Sequence, residues 1–268
     1  SHKMANDLID MVEDVVTLHP EKFLLIKSVD DLSSLTNKNK VGIALGMENG
    51  APIQGDLSRV EYYYDRGIRY ITLTHSKTNH ISDSSYDENI QWHGLSEFGK
   101  TLIEEMNRVG IMIDISHVND EAFYQAIELS QVPVIASHSS LRHFTPGFER
   151  NVDDAMLNKL AEKGGVLQIN FGSSFISQRP RDYMDQMDNF LELKFGQNRS
   201  GVSEEVINEA RKEFFSKNKY PYATLDEVLG HFDRVVNLVG VDHVGIGSDY
   251  DGVGDTLPIG LKDVSSYP

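Results

Sequence analysis

Apolar residues fall into two alternating rhythms along the chain. Short runs rich in Val and Ile, at Val41 to Met47, Arg69 to Leu73, Ile111 to Ile115, Val132 to Ala136, Val166 to Asn170 and His243 to Gly247, read as six strands. Between them, apolar residues recur three and four apart, the spacing of one helix face. Met4, Leu8, Ile9, Val12, Val15 and Val16 place a helix at the very start, so the domain is expected to begin upstream of residue 1. Leu95, Phe98, Leu102, Met106 and Val109 form a second face that ends at Gly110, and Met156, Leu157 and Leu160 a third that stops at Gly164 and Gly165. Thr224 with Glu227 has the form of a capping box and predicts a helix up to Gly240 that leads into the last strand. This alternation predicts an α/β fold with a parallel sheet and crossover helices. The one irregular interval, Phe171 to Thr224, holds a charged helix over Glu204 to Ser216 and reads as an insertion forming a lid or side wall.

A length of 268 residues suits one β/α barrel, so a single domain over 1–268 is expected. Asp and Glu number 41 against 25 Lys and Arg, and the net charge of −16 argues against nucleic acid or an anionic membrane surface as partner. There is no cysteine, which removes disulfides, thiol nucleophiles and thiolate metal sites and leaves His, Asp and Glu as ligands. No apolar stretch approaches the roughly 18 residues of a membrane span, so a soluble product is expected, its compartment, cytoplasmic or periplasmic, undecided.

The chemistry sits where the apolar runs end. Glu48 follows VGIALGM, His75 follows RYITLT, His117 follows IMIDIS, His138 follows VPVIAS and Asp249 follows VGIGS. In parallel β/α architecture the carboxyl ends of the strands form the rim where active sites assemble. Singly, each residue has a plain structural reading: a histidine as a hydrogen-bonded loop residue, Glu48 as a turn cap, Asp249 as a turn aspartate. As a set, with no thiol present, they match the oxygen and nitrogen donors that catalytic zinc takes. His93, His143, His231 and His243 lack a strand-end context and read as structural or surface residues, and Met47, Met106 and Met112 as core.

Together, GMENG (46–50), YITLTHSKTN (70–79), DISHV (114–118), SHSS (137–140), RNVDD (150–154), GIGSDYDG (245–252) and the tail LKDVSSYP (261–268) resemble the membrane (renal) dipeptidase family of zinc metallopeptidases. The resemblance implies a TIM-type (β/α)8 barrel of the metal-dependent hydrolase kind and hydrolysis of dipeptides with a free C-terminal carboxylate. It implies two Zn2+ bridged by Glu48, one of them completed by His117 and His138. The other zinc takes its ligands from an HxD motif on the first strand, and no HxD occurs upstream of Glu48. The chain is therefore expected to lack that strand and the closing C-terminal elements, and to retain the ligands of one zinc.

By the same resemblance the nucleophile is a hydroxide bridging the metals, His75 stabilises the oxyanion, Asp249 carries the proton to the leaving amine, and Arg150 holds the substrate carboxylate. Each role suits its side chain. Arg142 is the rival to Arg150, and Asp114 is placed to orient a ligand histidine. Small dipeptides are the expected substrates, with a homodimer neither supported nor opposed. The rival readings are a metal-dependent amidohydrolase acting on a cyclic amide, separable by its indifference to a free carboxylate, and a non-catalytic zinc-binding module, separable by its metal content without turnover.

Overall fold

The computed structural model describes residues 1–35, 39–197, 199 and 201–267; Pro268, the last residue of LKDVSSYP, lies outside them. In chain order the helices and strands are α1 (His2–Leu18), β1 (Phe23–Ile26), α2 (Val29–Leu35), β2 (Val41–Glu48), α3 (Ser58–Asp65), β3 (Ile68–Thr72), α4 (Glu97–Val109), β4 (Met112–Asp114) and α5 (Asp120–Leu129). There follow β5 (Ile135–Ser139), α6 (Asp154–Glu162), β6 (Val166–Ile169), α7 (Ser173–Ile176), α8 (Gln178–Phe195), α9 (Glu204–Lys217), α10 (Leu225–Val239) and β7 (Val244–Ile246). They form two compact units, Ser1–Ser137 with Ala155–Leu167, and His138–Asp154 with Gln168–Pro268.

In the first unit β1 to β5 pair in chain order and all in parallel, as the alternation of elements predicts. All six predicted strands are present, one of them displaced. The run at Val132 to Ala136 contains Pro133, which has no N–H for a ladder, and the strand forms instead at Ile135–Ser139, where Ile135 pairs with Asp114. A seventh strand, β1, and the helices α2, α3, α5, α7 and α8 are additions to the predicted set. Helix α4 follows the expected face: Leu102, Ile103 and Met106 are fully buried, Ser96 caps its start by accepting from the Gly99 N–H, and Gly110 ends it at φ 94°, a conformation costly for any residue with a Cβ.

Asp114, at the end of β4, was expected to orient a ligand histidine. The structure shows what its carboxylate holds together. Fully buried, its carboxylate accepts from the Ser116 N–H (3.0 Å), the Ser137 N–H (2.9 Å), the Ser137 hydroxyl (2.6 Å) and the Thr72 hydroxyl (2.5 Å). It thus ties together the ends of β3, β4 and β5, and four donors compensate for taking a charge out of water.

In the second unit, the Asn170 N–H donates to the Ser139 carbonyl (3.2 Å) and the Gly247 N–H to the Ile169 carbonyl (3.1 Å), so β6 lies between the end of β5 and β7. The capping box forms as predicted, with the Glu227 N–H donating to Thr224 Oγ1 and the Thr224 N–H to Glu227 Oε2. The irregular interval is a helical hairpin. Tyr183, Met187 and Leu191 of α8 and Ile207, Ala210 and Phe214 of α9 form a cluster of their own. His231 of α10, with no exposed surface, accepts the Leu141 N–H at Nδ1 (3.1 Å) and donates from Nε2 to the Ile176 carbonyl (2.9 Å), which bears out its structural reading. Burial holds its pKa down at about 4, against 6.5 for an unburied imidazole.

Asp114→Ala is expected to cost about 3 kcal/mol in urea unfolding, because it strands two hydroxyls and two N–H groups, whereas Asp114→Asn, whose amide can still satisfy them once the hydroxyls turn, costs about 1 kcal/mol. For His231 the folded state resists protonation, so between pH 6.5 and about 4 the unfolded chain binds the extra proton and stability falls with falling pH, by up to ~3 kcal/mol. His231→Gln is expected to flatten that limb in urea unfolding at a series of pH values.

Candidate metal centre

Glu48 is the last residue of β2, where Glu48 pairs with Thr72 and Thr72 in turn with Asp114. The chain then turns through Asn49 at φ 76°. The Asn49 carboxamide stabilises this by accepting from the Ala51 N–H (3.1 Å) and from Asn79 Nδ2 (2.9 Å), so GMENG and the asparagine of HSKTN hold one another. His75 leaves β3 three residues after Thr72, and His117 leaves β4 three residues after Asp114. His117 stands at φ 72°, and its carbonyl receives both the N–H (2.8 Å) and the hydroxyl (3.1 Å) of Ser85. Those two bonds offset the cost of left-handed backbone in a residue with a Cβ.

The outcome is convergence. His117 Nε2 lies 3.0 Å and His75 Nε2 3.5 Å from Glu48 Oε1, and the two imidazoles lie with centroids 4.3 Å apart, tilted by 35°. A ligand atom from each of the three residues falls within 4.8 Å of the others, two nitrogens and one oxygen, a donor set that zinc accepts. His117 is 7% exposed, whereas Glu48 and His75 are about half exposed, so the group has a closed side and an open one. His75 Nδ1 lies 2.8 Å from the Ser76 hydroxyl, which fixes the ring's orientation. Beside Glu48, a cavity of about 470 Å³ separates β2 from α1, lined by Met4, Leu8, Met11, Leu45 and Met47.

The other expected residues lie in the second unit. Arg150 is buried, donating from Nη1 to Ser139 Oγ (2.5 Å) and from Nη2 to the His138 carbonyl (2.8 Å), so it braces the backbone that presents His138. Arg142 is engaged with the carbonyls of Asn151 and Glu149. Asp249, at φ 56°, accepts from Asn170 Nδ2 at 2.9 Å. Trp92 is scaffold, its indole N–H donating to the Asn79 carbonyl (2.7 Å). Sequence reasoning missed Ser76, Ser85, Asn49 and Asn79. The available signal was a run of small polar residues just after two strand ends, a pattern that also marks ordinary loops.

An α/β chain with imidazoles and a carboxylate gathered at strand ends has the architecture of a metal-dependent hydrolase. Residues 2–268 match the model of the membrane dipeptidase family, peptidase family M19, and the chain belongs to that family. It is 34% identical over 263 residues to an uncharacterized dipeptidase of Schizosaccharomyces pombe, a match covering 97% of this chain and 53% of the relative. The probable dipeptidase PvdM from Pseudomonas aeruginosa superposes with a TM-score of 0.83 at 27% identity, over 96% of this chain and 69% of that one. A metallo peptidase from Rhodobacter sphaeroides, solved with a phosphinate mimic of the dipeptide L-Ala-D-Ala, superposes at 0.74 with 25% identity, over 98% of this chain and 64% of that one. The chain spans about half the length of the curated relatives it matches. Among the described residues no helix is long and apolar enough to cross a membrane.

Metal binding at this cluster, tested with zinc as the probe, is expected to depend on Glu48 and His117 individually. Glu48→Gln and His117→Ala should each weaken zinc binding at least ~10-fold in chelator competition, since even changes outside the ligand set cost that much. His93→Ala, which lies outside the cluster, should leave it unchanged.

Proposed function

We propose that this chain is the catalytic part of a zinc-dependent dipeptidase, with its strands belonging to an eight-stranded β/α barrel and residues 1–268 to its single catalytic domain. The convergence of Glu48, His75 and His117 at three successive strand ends carries this reading. Family membership and the dipeptide mimic bound to the Rhodobacter sphaeroides relative support it. Glu48, His117 and His138 are assigned as zinc ligands, the residues of this chain that match the family's motifs. Zinc held there supplies a Lewis acid and an acidified water.

The remaining work falls to this chain's own side chains. His75, its Nδ1 set against the Ser76 hydroxyl, presents Nε2–H as a donor for the negative charge that develops on the carbonyl oxygen. Asp249 accepts the proton and returns it to the leaving amine. Arg150 is assigned to the substrate's C-terminal carboxylate, which it suits by its planar fork of donors. A free carboxylate beside the scissile bond then restricts hydrolysis to dipeptides.

Metal content by elemental mass spectrometry and hydrolysis of a dipeptide panel, on the same zinc-supplemented sample, test this reading. Turnover that is lost in Glu48→Gln, and at least ~10²-fold slower hydrolysis when the substrate carboxylate is replaced by an amide, are the expected results. Hydrolysis indifferent to that replacement would point to a cyclic-amide substrate instead. Tightly held zinc without turnover would point to a binding module.

A further inference from the structure

The least accounted-for feature of the second unit is how tightly the side chain of Asp249 is held. Asn170, at the carboxyl end of β6, is fully buried, and both its backbone groups are engaged. Its N–H donates to the Ser139 carbonyl and its carbonyl accepts from the Ser140 hydroxyl (3.0 Å). Its carboxamide is oriented by what it touches. Oδ1 accepts the Gly172 N–H (2.7 Å), a group that can only donate, so Nδ2 is the atom left facing Asp249 Oδ2, 2.9 Å away. Nearest the other oxygen of the same carboxylate stands Gly252. The Gly252 and Val253 N–H groups both donate to the Asp249 carbonyl (3.1 and 3.3 Å), closing a turn that brings Gly252 under the side chain. A Cβ at Gly252 would come within 2.0 Å of Asp249 Oδ1. Gly252 lies outside the left-handed region, so its backbone would accept alanine, and a Cβ there would require the Asp249 carboxylate to move.

We propose that Asn170 and Gly252 are positioning residues that hold the Asp249 carboxylate in one place, the amide by a hydrogen bond to one oxygen and the glycine by the gap it leaves beside the other. This deepens the reading of Asp249 as the proton carrier and rests on it for its kinetic consequence. A carboxylate that must meet first the nucleophilic water and then the leaving amine gains from arriving already aimed, and a displacement of about 1 Å is enough to cost on the order of 100-fold. The left-handed backbone at Asp249 serves the same end, since it delivers the side chain to the clamp from a turn that a relaxed conformation would not make.

The test approaches the clamp from both sides in the zinc-loaded protein. Gly252→Ala and Asn170→Leu are each expected to lower kcat for a dipeptide about 10- to 100-fold while KM stays within about threefold. Neither should lower it further once Asp249 is replaced by Asn, because all three act on one group. A crystal structure of Gly252→Ala is expected to show the Asp249 carboxylate displaced. Unchanged kcat in Gly252→Ala, or losses that multiply with that of Asp249→Asn, would overturn the proposal, and Gly252→Ala decides alone should Asn170→Leu not fold. If Asp249→Asn itself leaves kcat unchanged, or the chain does not turn over, the proton-carrier reading fails separately. The crystal structure then settles the clamp, which holds if the carboxylate has moved and is overturned if it has not.

Discussion

Four hydrogen bonds into one buried carboxylate set the geometry of the first unit. Asp114 reaches Thr72 on β3 and Ser137 on β5 from its place on β4, and through the Thr72 pairing it fixes the register of Glu48 on β2. Every chemical residue of the unit is counted from those anchors. Glu48 lies across from Thr72, and His75 and His117 follow Thr72 and Asp114 by three residues. A slip of one residue in any of these ladders would turn the strand over and aim its terminal side chain at the opposite face. The charge is costly to bury, but it accepts from donors on three strands at once, which no apolar side chain can do.

Backbone strain gathers where the chemistry is. Asn49, His117 and Asp249 stand among the few described residues other than glycine with positive φ, one at each of three strand ends. Each is held by neighbouring hydrogen bonds: the Asn79 amide on Asn49, Ser85 on the His117 carbonyl, and the Gly252 and Val253 N–H groups on the Asp249 carbonyl. Left-handed backbone at residues with a Cβ is kept only when surrounding contacts over-determine it, and its concentration here supports a functional demand for the directions it gives.

Much of this was legible in the sequence, for identifiable reasons. The strand ends were visible because β-branched runs stop abruptly at polar residues, and the helix stops because Gly110 and Gly240 follow the last apolar position of their faces. Where the reading failed, a local signal was weak or masked. β1 is only the four residues Phe23–Ile26, too short for periodicity. α8 hides its apolar stripe of Tyr183, Met187 and Leu191 among charges. The shift of β5 by three residues was announced by Pro133 but masked by the hydrophobicity of the run around it. The role of Asp114 could not be read at all, since its partners Thr72 and Ser137 are 42 and 23 positions away and ordinary in type.

The hairpin of α8 and α9 satisfies its apolar side chains largely among themselves. Tyr183 packs edge-on against Phe214 (5.2 Å) inside it and against Tyr220 (5.2 Å) just beyond α9, and Lys194 pairs with Glu213 across it. A substitution within such a segment changes the packing of the facing helix first. A cavity opened inside the hairpin would therefore be felt by its own two helices before it reached the strand ends.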